Sequence, residues 1–244
     1  MDLDRRRDLT AWTGLRYDPP DRLRGRWADL ERVDPDRHGA ALHRANEADD
    51  GIWHWLPYGP FETRATYAEW LEAVAASPDP AFYAIRADEA GADWAGVAAL
   101  MRIDRDNGAI EIGHICLSPA LQRTRVATEA IYLLADQAFA AGFRRLEWKC
   151  NAANEPSRRA AARFGFAYEG TFRQAAVVKG RNRDTAWFSI VDDEWPALRD
   201  AFGAWLEDAN FDAAGRQATA LSDLTRAAAG GVDRWMPSRP GAGT

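Results

Sequence analysis

The feature that most constrains the fold is a segment that passes from an apolar strand through a short loop into a helix. Residues 109–117 form a β-compatible run that Ser118-Pro119 ends, and from Val126 apolar residues recur at helical spacing until Gly142, a typical helix C-cap. Backbone N–H groups at a helix start lack intrahelical partners, and the helix dipole favours negative charge there. The segment therefore predicts a strand–loop–helix unit whose loop could bind an anion such as a pyrophosphate.

The elements around this unit predict an α/β fold. Before it, a first strand is predicted over 24–33, a helix from the N-cap Asp34 through about Ala48, and a second helix from about Thr63 to Ser77. Sequential strands then make an antiparallel meander, with Asn107-Gly108 as a hairpin signal. Further strands are predicted over 82–87, 94–103, 146–150, 167–172 and 185–191, and a short helix over 156–164. The order predicts a mixed, mostly antiparallel central sheet flanked by helices, with one parallel crossover and a C-terminal helical tail.

The chain is expected to hold one folded domain. Residues 1–23 carry charges and a Pro-Pro pair without periodicity and are predicted to be an N-terminal arm, with the domain over 24–206. Residues 207–244 are predicted to be an extension that is partly helical, with a disordered Gly/Pro-rich end. Amphipathic spacing of Leu221, Leu224 and Ala228 suggests a face that could pack on a second subunit, giving a homodimer.

Composition excludes several classes of function. The 244 residues include no apolar run of the roughly 18 residues that a membrane span needs, and the charged start has no apolar signal-peptide region behind it. A net charge of −6 argues against a nucleic-acid partner bound through a broad basic face. The two cysteines, Cys116 and Cys150, have no metal-ligand or redox spacing. We therefore expect a cytoplasmic protein with reduced thiols, no metal, and no membrane or nucleic-acid partner.

Aromatic residues are concentrated in one turn-rich stretch. Residues 51–61 include Trp53, Trp55 and Tyr58 among glycines and prolines, too many turn formers for a regular element. Aromatic side chains in a loop suggest a wall for a bound substrate. The alternative is that these rings close the core against a long connection.

Two motifs resemble the GNAT acetyltransferases. Gln122 and Ala127 match the family's cofactor loop, Gln/Arg-x-x-Gly-x-Gly/Ala, between a strand and the central helix. The stretch from Asn154 to Gly165-Phe166 is similar to the family's Asn-x-x-Ser…Gly-Phe segment. Thr128-Glu129-Ala130, together with Glu111-Ile112-Gly113, resembles the branch that contains the ribosomal-protein alanine N-acetyltransferases and many relatives that acetylate small amines. The resemblance covers roughly residues 27–191 and implies acetyl-CoA as cofactor and an amine-bearing small molecule or peptide N-terminus as acceptor.

The resemblance also assigns the cofactor site. It implies that backbone groups of the strand before the loop face the acetyl carbonyl and that the loop holds the pyrophosphate, with Asn154 and Ser157 beside the pantetheine arm. Without a ligand, Asn154 would be a helix N-cap and Ser157 an early-turn residue. Arg125 departs from the family's glycine, so its side chain must turn outward or pair with a phosphate. The implied cofactor residues are Ile115, Cys116, Leu117, Gln122, Arg123, Thr124, Arg125, Val126, Ala127, Thr128, Asn154 and Ser157.

Acetyl transfer to an amine needs a base, because amines of high pKa are protonated at neutral pH. Glu111, on the strand before the loop, is the first candidate and His114 the alternative, although Glu111 could be a surface charge and His114 a packed strand residue. Cys116 is expected to be a wall residue. Ala161 stands where many family members have a tyrosine acid, so Ser157, or Tyr168 beyond the helix, could donate a proton instead.

Three functions compete at this point. The first is N-acetylation of a small amine or amino acid in a ternary complex, and the second is N-terminal acetylation of a protein. The third is a non-catalytic acyl-CoA-binding module, suggested by Arg125 and by the missing tyrosine. Acceptor recognition would fall to the aromatic loop, through Trp53, Trp55 and Tyr58, and to a basic loop over 179–184. This loop could suit an acidic peptide or a carboxylate-bearing amine, or be a solvated turn.

Overall fold

The structure, a computed structural model, describes residues 8–230, which contain eight strands, six α-helices and two short 3-10 helices (Asp50–Trp53 and Asp208–Asn210). The strands are β1 (Arg22–Arg24), β2 (Ala28–Arg32), β3 (Ala81–Ala87), β4 (Gly96–Asp104), β5 (Ala109–Leu117), β6 (Arg145–Asn151), β7 (Ala167–Val178) and β8 (Arg181–Val191). The helices are α1 (Pro35–Asn46), α2 (Arg64–Ala75), α3 (Arg125–Ala140), α4 (Glu155–Arg163), α5 (Trp195–Leu206) and α6 (Leu221–Ala228). The end predicted to be disordered and the first seven residues of the predicted arm lie outside the described residues.

The helix starts follow local capping chemistry. The side chain of Asp34 accepts hydrogen bonds from the backbone N–H groups of Asp36 and Arg37 at the start of α1, and Thr63 forms a capping box with Thr66 at the start of α2. The predicted N-cap Asp34 and the predicted start of the second helix near Thr63 are confirmed.

The strands form one sheet in the order β1-β2-β3-β4-β5-β6-β8-β7. Every neighbouring pair is antiparallel except β5 and β6, which α3 connects as a parallel crossover. The prediction of a mixed, mostly antiparallel sheet with one parallel crossover is confirmed. The crossover puts the β5–α3 loop at the centre of the sheet, where two strands run in the same direction.

Helices cover both faces of this sheet. Along β4, Ala98 and Leu100 belong to a core shared with α3 and α5, while Val97 and Ala99 belong to a second core shared with α1 and α2. This alternation is the two-residue period of a strand buried on both faces. Residues of β5 therefore face either α3 or the α1–α2 layer according to their position.

Two predicted boundaries are wrong. The strand predicted over 24–33 is a hairpin of β1 and β2, and the turn between them is held by Glu129 of α3, which accepts hydrogen bonds from the N–H groups of Arg26, Trp27 and Ala28. The basic loop predicted over 179–184 is a tight turn at Lys179-Gly180, because Arg181 onward pairs with β7 in β8. Both corrections come from pairing with residues distant in sequence.

The C-terminal segment packs on its own domain. Leu221 of α6 is fully buried, and Leu224 and Ala228 pack against the core shared with α3 and α5. The apolar face that suggested a homodimer is therefore covered within the chain. Within the described range, no helix combines the length and apolar character needed to cross a bilayer.

Candidate active site

The parallel strands β5 and β6 separate after a short paired stretch. Their register runs only from Ala109 to Glu111 of β5 and from Arg145 to Glu147 of β6. On the other side of β5 a bulge places His114 and Ile115 opposite the single residue Ala98 of β4, and His114 has a φ of 51°. A bulge bends its strand, and a non-glycine residue at positive φ is strained, as is common at functional sites. The bend opens a gap beside residues 113–117.

A cleft of about 1730 Å³ runs through this gap from α3 to the α1–α2 layer. It brings together most of the predicted site residues. The predicted ones that do not line it are Val126, Trp53, Tyr58 and Tyr168. Val126 packs against the α3 core and Trp53 is buried in the α1–α2 core. The predicted residues that line the cleft are Glu111, His114, Ile115, Cys116, Leu117, Gln122, Arg123, Thr124, Arg125, Ala127, Thr128, Asn154, Ser157 and Trp55.

The start of α3 forms one end of the cleft. Thr124 is the N-cap: its Oγ1 accepts from the Ala127 N–H at 3.1 Å and donates to the Leu121 carbonyl at 2.7 Å. Arg123 takes a φ of 62°, which turns the loop. Within residues 8–230, the backbone N–H groups of Arg123, Arg125 and Val126 donate no hydrogen bond. This end therefore presents free donors and a helix dipole that suit an anionic ligand.

The Arg125 side chain lies against the C-terminal segment. Its guanidinium carbon is 4.2 Å from the ring centre of Trp27 and 3.7 Å from that of Phe211, and Nη1 is 3.1 Å from Oδ1 of Asp208. An arginine between two aromatic rings and a carboxylate is held by cation–π and ionic contacts. Arg125 is the first residue of α3, and its φ is not positive. The absence of the family's glycine therefore causes no backbone strain at this position.

The two predicted residues of α4 have structural partners as well. Asn154 is the helix N-cap, since its Oδ1 accepts from the Ser157 N–H at 3.1 Å. The Ser157 hydroxyl accepts from Trp148 Nε1 at 3.1 Å. Both side chains still line the cleft. Tyr168 does not: its hydroxyl lies 2.9 Å from Thr171 Oγ1 on β7.

Glu111 is buried at the base of the gap and belongs to a charge cluster. Lys149 Nζ lies 3.0 Å from Oε2 of Glu111 and 2.6 Å from Oε2 of Glu147, and all three side chains are at most 13% exposed. Burial raises the pKa of Glu111 above its ordinary value, and the Lys149 charge opposes the rise. The pKa of Glu147 is lowered, because hydrogen bonds from Lys149 and Arg145 outweigh its burial. Neighbouring carboxyl groups with pKa values shifted in opposite directions are typical of acid–base sites.

His114 lies above this cluster and contacts the aromatic loop. Its Nδ1 is 3.2 Å from the Tyr58 hydroxyl, and the two rings are stacked at 5.6 Å. Burial, together with the positive charge of Arg183, lowers the pKa of His114, and burial raises the pKa of Tyr58. At neutral pH His114 is therefore neutral and Tyr58 keeps its proton, so the tyrosine hydroxyl can donate to the imidazole. Tyr58 does not line the cleft itself but contacts His114, which does.

Cys116 is a wall residue of low reactivity. It is 2% exposed in the α1–α2 core, and burial raises the pKa of its thiol to about 12. Since the thiolate is the nucleophilic form, the side chain is unreactive at neutral pH. Among the described residues, no group of three or more His, Cys, Asp or Glu side chains is arranged to hold a metal ion.

Sequence reasoning missed several residues of the cleft. Lys149 follows Glu147 at strand spacing, and this alternation could have indicated that both share a face with Glu111. Arg163 of α4 donates from Nη1 and Nη2 to Thr128 Oγ1, both at 3.2 Å, and has no carboxylate partner in the described chain. Only the tertiary fold reveals the C-terminal contribution. Arg183, which also lines the cleft, belongs to the basic loop that was predicted to take part in acceptor recognition. The missed lining residues include Lys149, Arg163, Trp205, Phe211, Gln217 and Thr225.

Comparison with known proteins identifies the class of protein. Residues 29–167 match the acetyltransferase (GNAT) domain family, and the chain belongs to this family of acetyltransferases. Acetyl-CoA is accordingly its cofactor, and its acceptors are amine-bearing molecules. No curated protein matches the sequence significantly.

Solved structures agree with this assignment. A GCN5-related N-acetyltransferase from Brucella melitensis is 46% identical, with a TM-score of 0.85 over 88% of this chain and 99% of that one. A probable GNAT acetyltransferase from Chromobacterium violaceum is also 46% identical, with a TM-score of 0.73 over 78% and 95%. The Salmonella typhimurium acetyltransferase that modifies the N-terminal serine of a 50S ribosomal subunit protein is 22% identical, with a TM-score of 0.58 over 68% and 96%, a likeness of fold.

Proposed function

We propose that this chain is an N-acetyltransferase that moves the acetyl group of acetyl-CoA directly to the primary amine of a small molecule or amino acid, with both substrates bound together. The observation that carries the proposal is the position of Glu111, buried with a raised pKa at the base of a gap that opens to the α3 anion site on one side and to the aromatic loop on the other. Two substrates entering from opposite sides would meet beside this carboxyl group.

The α3 side suits the cofactor. The free N–H groups of Arg123, Arg125 and Val126 would hold its pyrophosphate, and Gln122 keeps the loop in place through a 3.0 Å hydrogen bond from Nε2 to the Leu117 carbonyl. Backbone groups of Ile115, Cys116 and Leu117, unpaired with β6, would face the acetyl carbonyl, and Asn154 and Ser157 border the same passage. Acetyl-CoA supplies a thioester whose thiolate leaves with modest assistance.

In this proposal Glu111 takes the proton of the attacking amine. Its raised pKa brings it closer to neutral pH than that of an ordinary glutamate, which favours a base that must accept and release a proton in each turnover. Lys149 holds the carboxyl group in place from β6. His114 is the alternative base, with a lowered pKa and its Nδ1 within 3.2 Å of the Tyr58 hydroxyl.

Direct transfer predicts that Cys116 is dispensable for the chemistry. We expect Cys116→Ala to keep kcat within a few-fold of the parent value, because a thiol with a pKa of about 12 forms no acetyl-enzyme. The measurement is steady-state thiol release together with mass spectrometry of enzyme quenched during turnover. Acetylated Cys116, or loss of turnover in a variant with unchanged folding, would contradict direct transfer.

The C-terminal extension, proposed to be an appendage of a single catalytic domain over 24–206, would complete the cofactor end of the cleft. Its residues Phe211, Gln217 and Thr225, together with Trp205 of α5, line this end around the guanidinium of Arg163. Burial lowers the pKa of Arg163 to about 10. Its guanidinium contacts the rings of Phe164 and Trp205, and no carboxylate of the described residues pairs with it. A half-buried, unpaired guanidinium suits a phosphate of the cofactor.

We therefore expect Arg163→Gln to raise KM for acetyl-CoA by roughly 10- to 100-fold, the effect of one charged hydrogen bond, with little change in KM for the acceptor. Initial rates with each substrate varied in turn measure the two constants, and thermal unfolding checks the fold. Arg199→Gln, which removes an exposed arginine paired with Asp136 on the surface, is the matched control. An equal rise in both KM values would argue against a cofactor role.

The acceptor side supports a small molecule. Trp55, Ile52 and Leu56 line it together with charges of both signs, Asp49 and Glu111 against Arg102, Lys149 and Arg183. A protein N-terminus would be better served by a wide acidic groove. N-terminal acetylation remains the second candidate, because the sequence resembles the ribosomal-protein branch and shares its fold with the Salmonella enzyme.

The proposal is tested by thiol release from acetyl-CoA in the presence of amino acids, polyamines, aromatic amines and short peptides. Turnover on free amines or amino acids supports the small-molecule assignment, and turnover on peptides alone supports the second candidate. Binding of acetyl-CoA without turnover on any of these acceptors would contradict the proposed activity.

A further inference from the structure

Arg183 is the one basic residue of the acceptor side whose charge has no partner within the described chain. Lys149 is neutralised by Glu111 and Glu147, and Arg102 lies 3.5 Å from Glu111 with most of its side chain in solvent. For Arg183, no carboxylate of residues 8–230 lies within 4.0 Å. Its Nε atom is buried and forms no hydrogen bond in that range. A buried donor without an acceptor costs free energy, so it calls for an explanation.

The backbone places Arg183 at the mouth of the gap. β8 pairs with β6 up to Thr185 and Asn151, and Arg183 is two residues beyond that pair. Residues 183, 185 and 187 share one face of β8, and Trp187 on that face covers Lys149 at 3.7 Å. Arg183 therefore lies on the α1–α2 side of the sheet, with Glu111 and Lys149. It lines the cleft, and its charge is felt both at His114 and at Cys150.

The chemistry of this group defines what it can receive. A guanidinium presents a rigid planar fork of donors that matches a carboxylate in a bidentate arrangement. A primary amine without an acidic group would leave the Arg183 donors unpaired and would bring a second positive charge beside them. A carboxylate on the acceptor removes both penalties at once.

We infer that Arg183 binds a carboxylate of the acceptor, and hence that the acceptor is an amino acid or another amine that carries a carboxylate. The inference rests on the proposed function for the identity of the acceptor side. It divides the recognition of one substrate between two sites, Arg183 for the carboxylate and Glu111 for the amine. Arg183 is thus a residue that determines specificity, apart from the proton transfer.

The experiment compares each amino acid with its decarboxylated amine, for example tryptophan with tryptamine and phenylalanine with phenethylamine. Parent enzyme, Arg183→Gln and Arg183→Lys are assayed for thiol release from acetyl-CoA. We expect the parent enzyme to favour the carboxylate-bearing member of a pair by about 10- to 100-fold in kcat/KM, the effect of one charged hydrogen bond. Arg183→Gln should lower this ratio of kcat/KM values at least tenfold, and Arg183→Lys should keep part of the preference.

Calorimetric titration of amino acids into the enzyme–CoA complex gives a readout that does not need turnover. We expect binding of the carboxylate-bearing member to weaken at least tenfold in Arg183→Gln. The control is Arg173→Gln, which removes an exposed arginine of β7 outside the cleft and should leave both measurements unchanged.

The outcomes separate this inference from the proposed activity. Turnover without preference for a carboxylate, or an equal loss for both members of each pair in Arg183→Gln, overturns the inference and leaves the proposed activity standing. Carboxylate binding that depends on Arg183 without turnover on any amine contradicts the proposed activity and supports the anion site. Absence of both turnover and binding overturns the inference.

Discussion

Replacing Glu111 by Gln is expected to lower kcat/KM for the amine by about 10²- to 10⁴-fold, the usual contribution of a positioned general base. The substitution keeps the size of the side chain and removes its ability to accept a proton. Because Glu111 lies at the base of the gap and away from the α3 loop, the affinity for acetyl-CoA should stay within a few-fold. Steady-state thiol release and calorimetric titration with acetyl-CoA measure the two effects.

Glu147→Gln is the matched control for this prediction. Glu147 pairs with the same lysine, at 2.6 Å, but it does not line the cleft and its pKa is lowered. We expect a loss of less than tenfold, caused by a less well held Lys149. Equal losses of kcat/KM in the two variants would mean that the charge cluster acts only by holding the fold of β6. A Glu111→Gln variant with unchanged kcat/KM would shift the role of base to His114.

The pH profile gives an independent readout of the same group. Burial raises the pKa of Glu111, and a base works in its deprotonated form, so the rate should rise with pH through a limb that lies above the ordinary glutamate value of 4.5. In Glu111→Gln this limb should disappear, while the rise caused by deprotonation of the amine at higher pH remains. The comparison is made on kcat/KM, with circular dichroism to confirm folding at each pH.

Elements defined by local chemistry could be predicted from the sequence. Asp34-Pro35 signals the start of α1, and Asn107-Gly108 signals the β4–β5 hairpin, because caps and tight turns depend on residues close in sequence. The β1–β2 turn could not be found this way. Its N–H groups are satisfied by Glu129, about a hundred residues further on, and no local pattern records that partner.

The same distinction between local and distant partners applies to the residues of the candidate site. Glu111, His114 and the α3 loop were predicted because a strand, a loop and a helix follow one another along the chain. Lys149 and Arg183 come from two later strands, and only the sheet order β5-β6-β8 places them beside Glu111. Arg125 shows most clearly what the sequence could not predict, since its side chain could either turn outward or pair with a phosphate. Contacts with Trp27, near the start of the domain, and with Phe211, in the C-terminal extension, determine the direction of this side chain.

Replacing Glu129 by Ala is expected to give the largest loss of stability, about 3 to 5 kcal/mol. The carboxylate is 4% exposed and accepts from the N–H groups of Arg26, Trp27 and Ala28 at 3.0, 2.6 and 2.6 Å. Removing it leaves three backbone donors without partners and frees β1 and β2 from α3. A Cβ at Gly25 would lie 2.4 Å from this carboxylate, so a residue without a side chain is needed there for the carboxylate to approach the turn.

The loss should appear as a fall in melting temperature of about 10 °C, since 1 kcal/mol shifts a chain of this size by roughly 2–4 °C. Glu72→Ala, on the exposed face of α2, is the control and should change the free energy of unfolding by less than about 0.5 kcal/mol. Because α3 also presents the anion site, weaker acetyl-CoA binding is expected to accompany the loss in Glu129→Ala. A variant as stable as the parent would show that water can satisfy the three N–H groups.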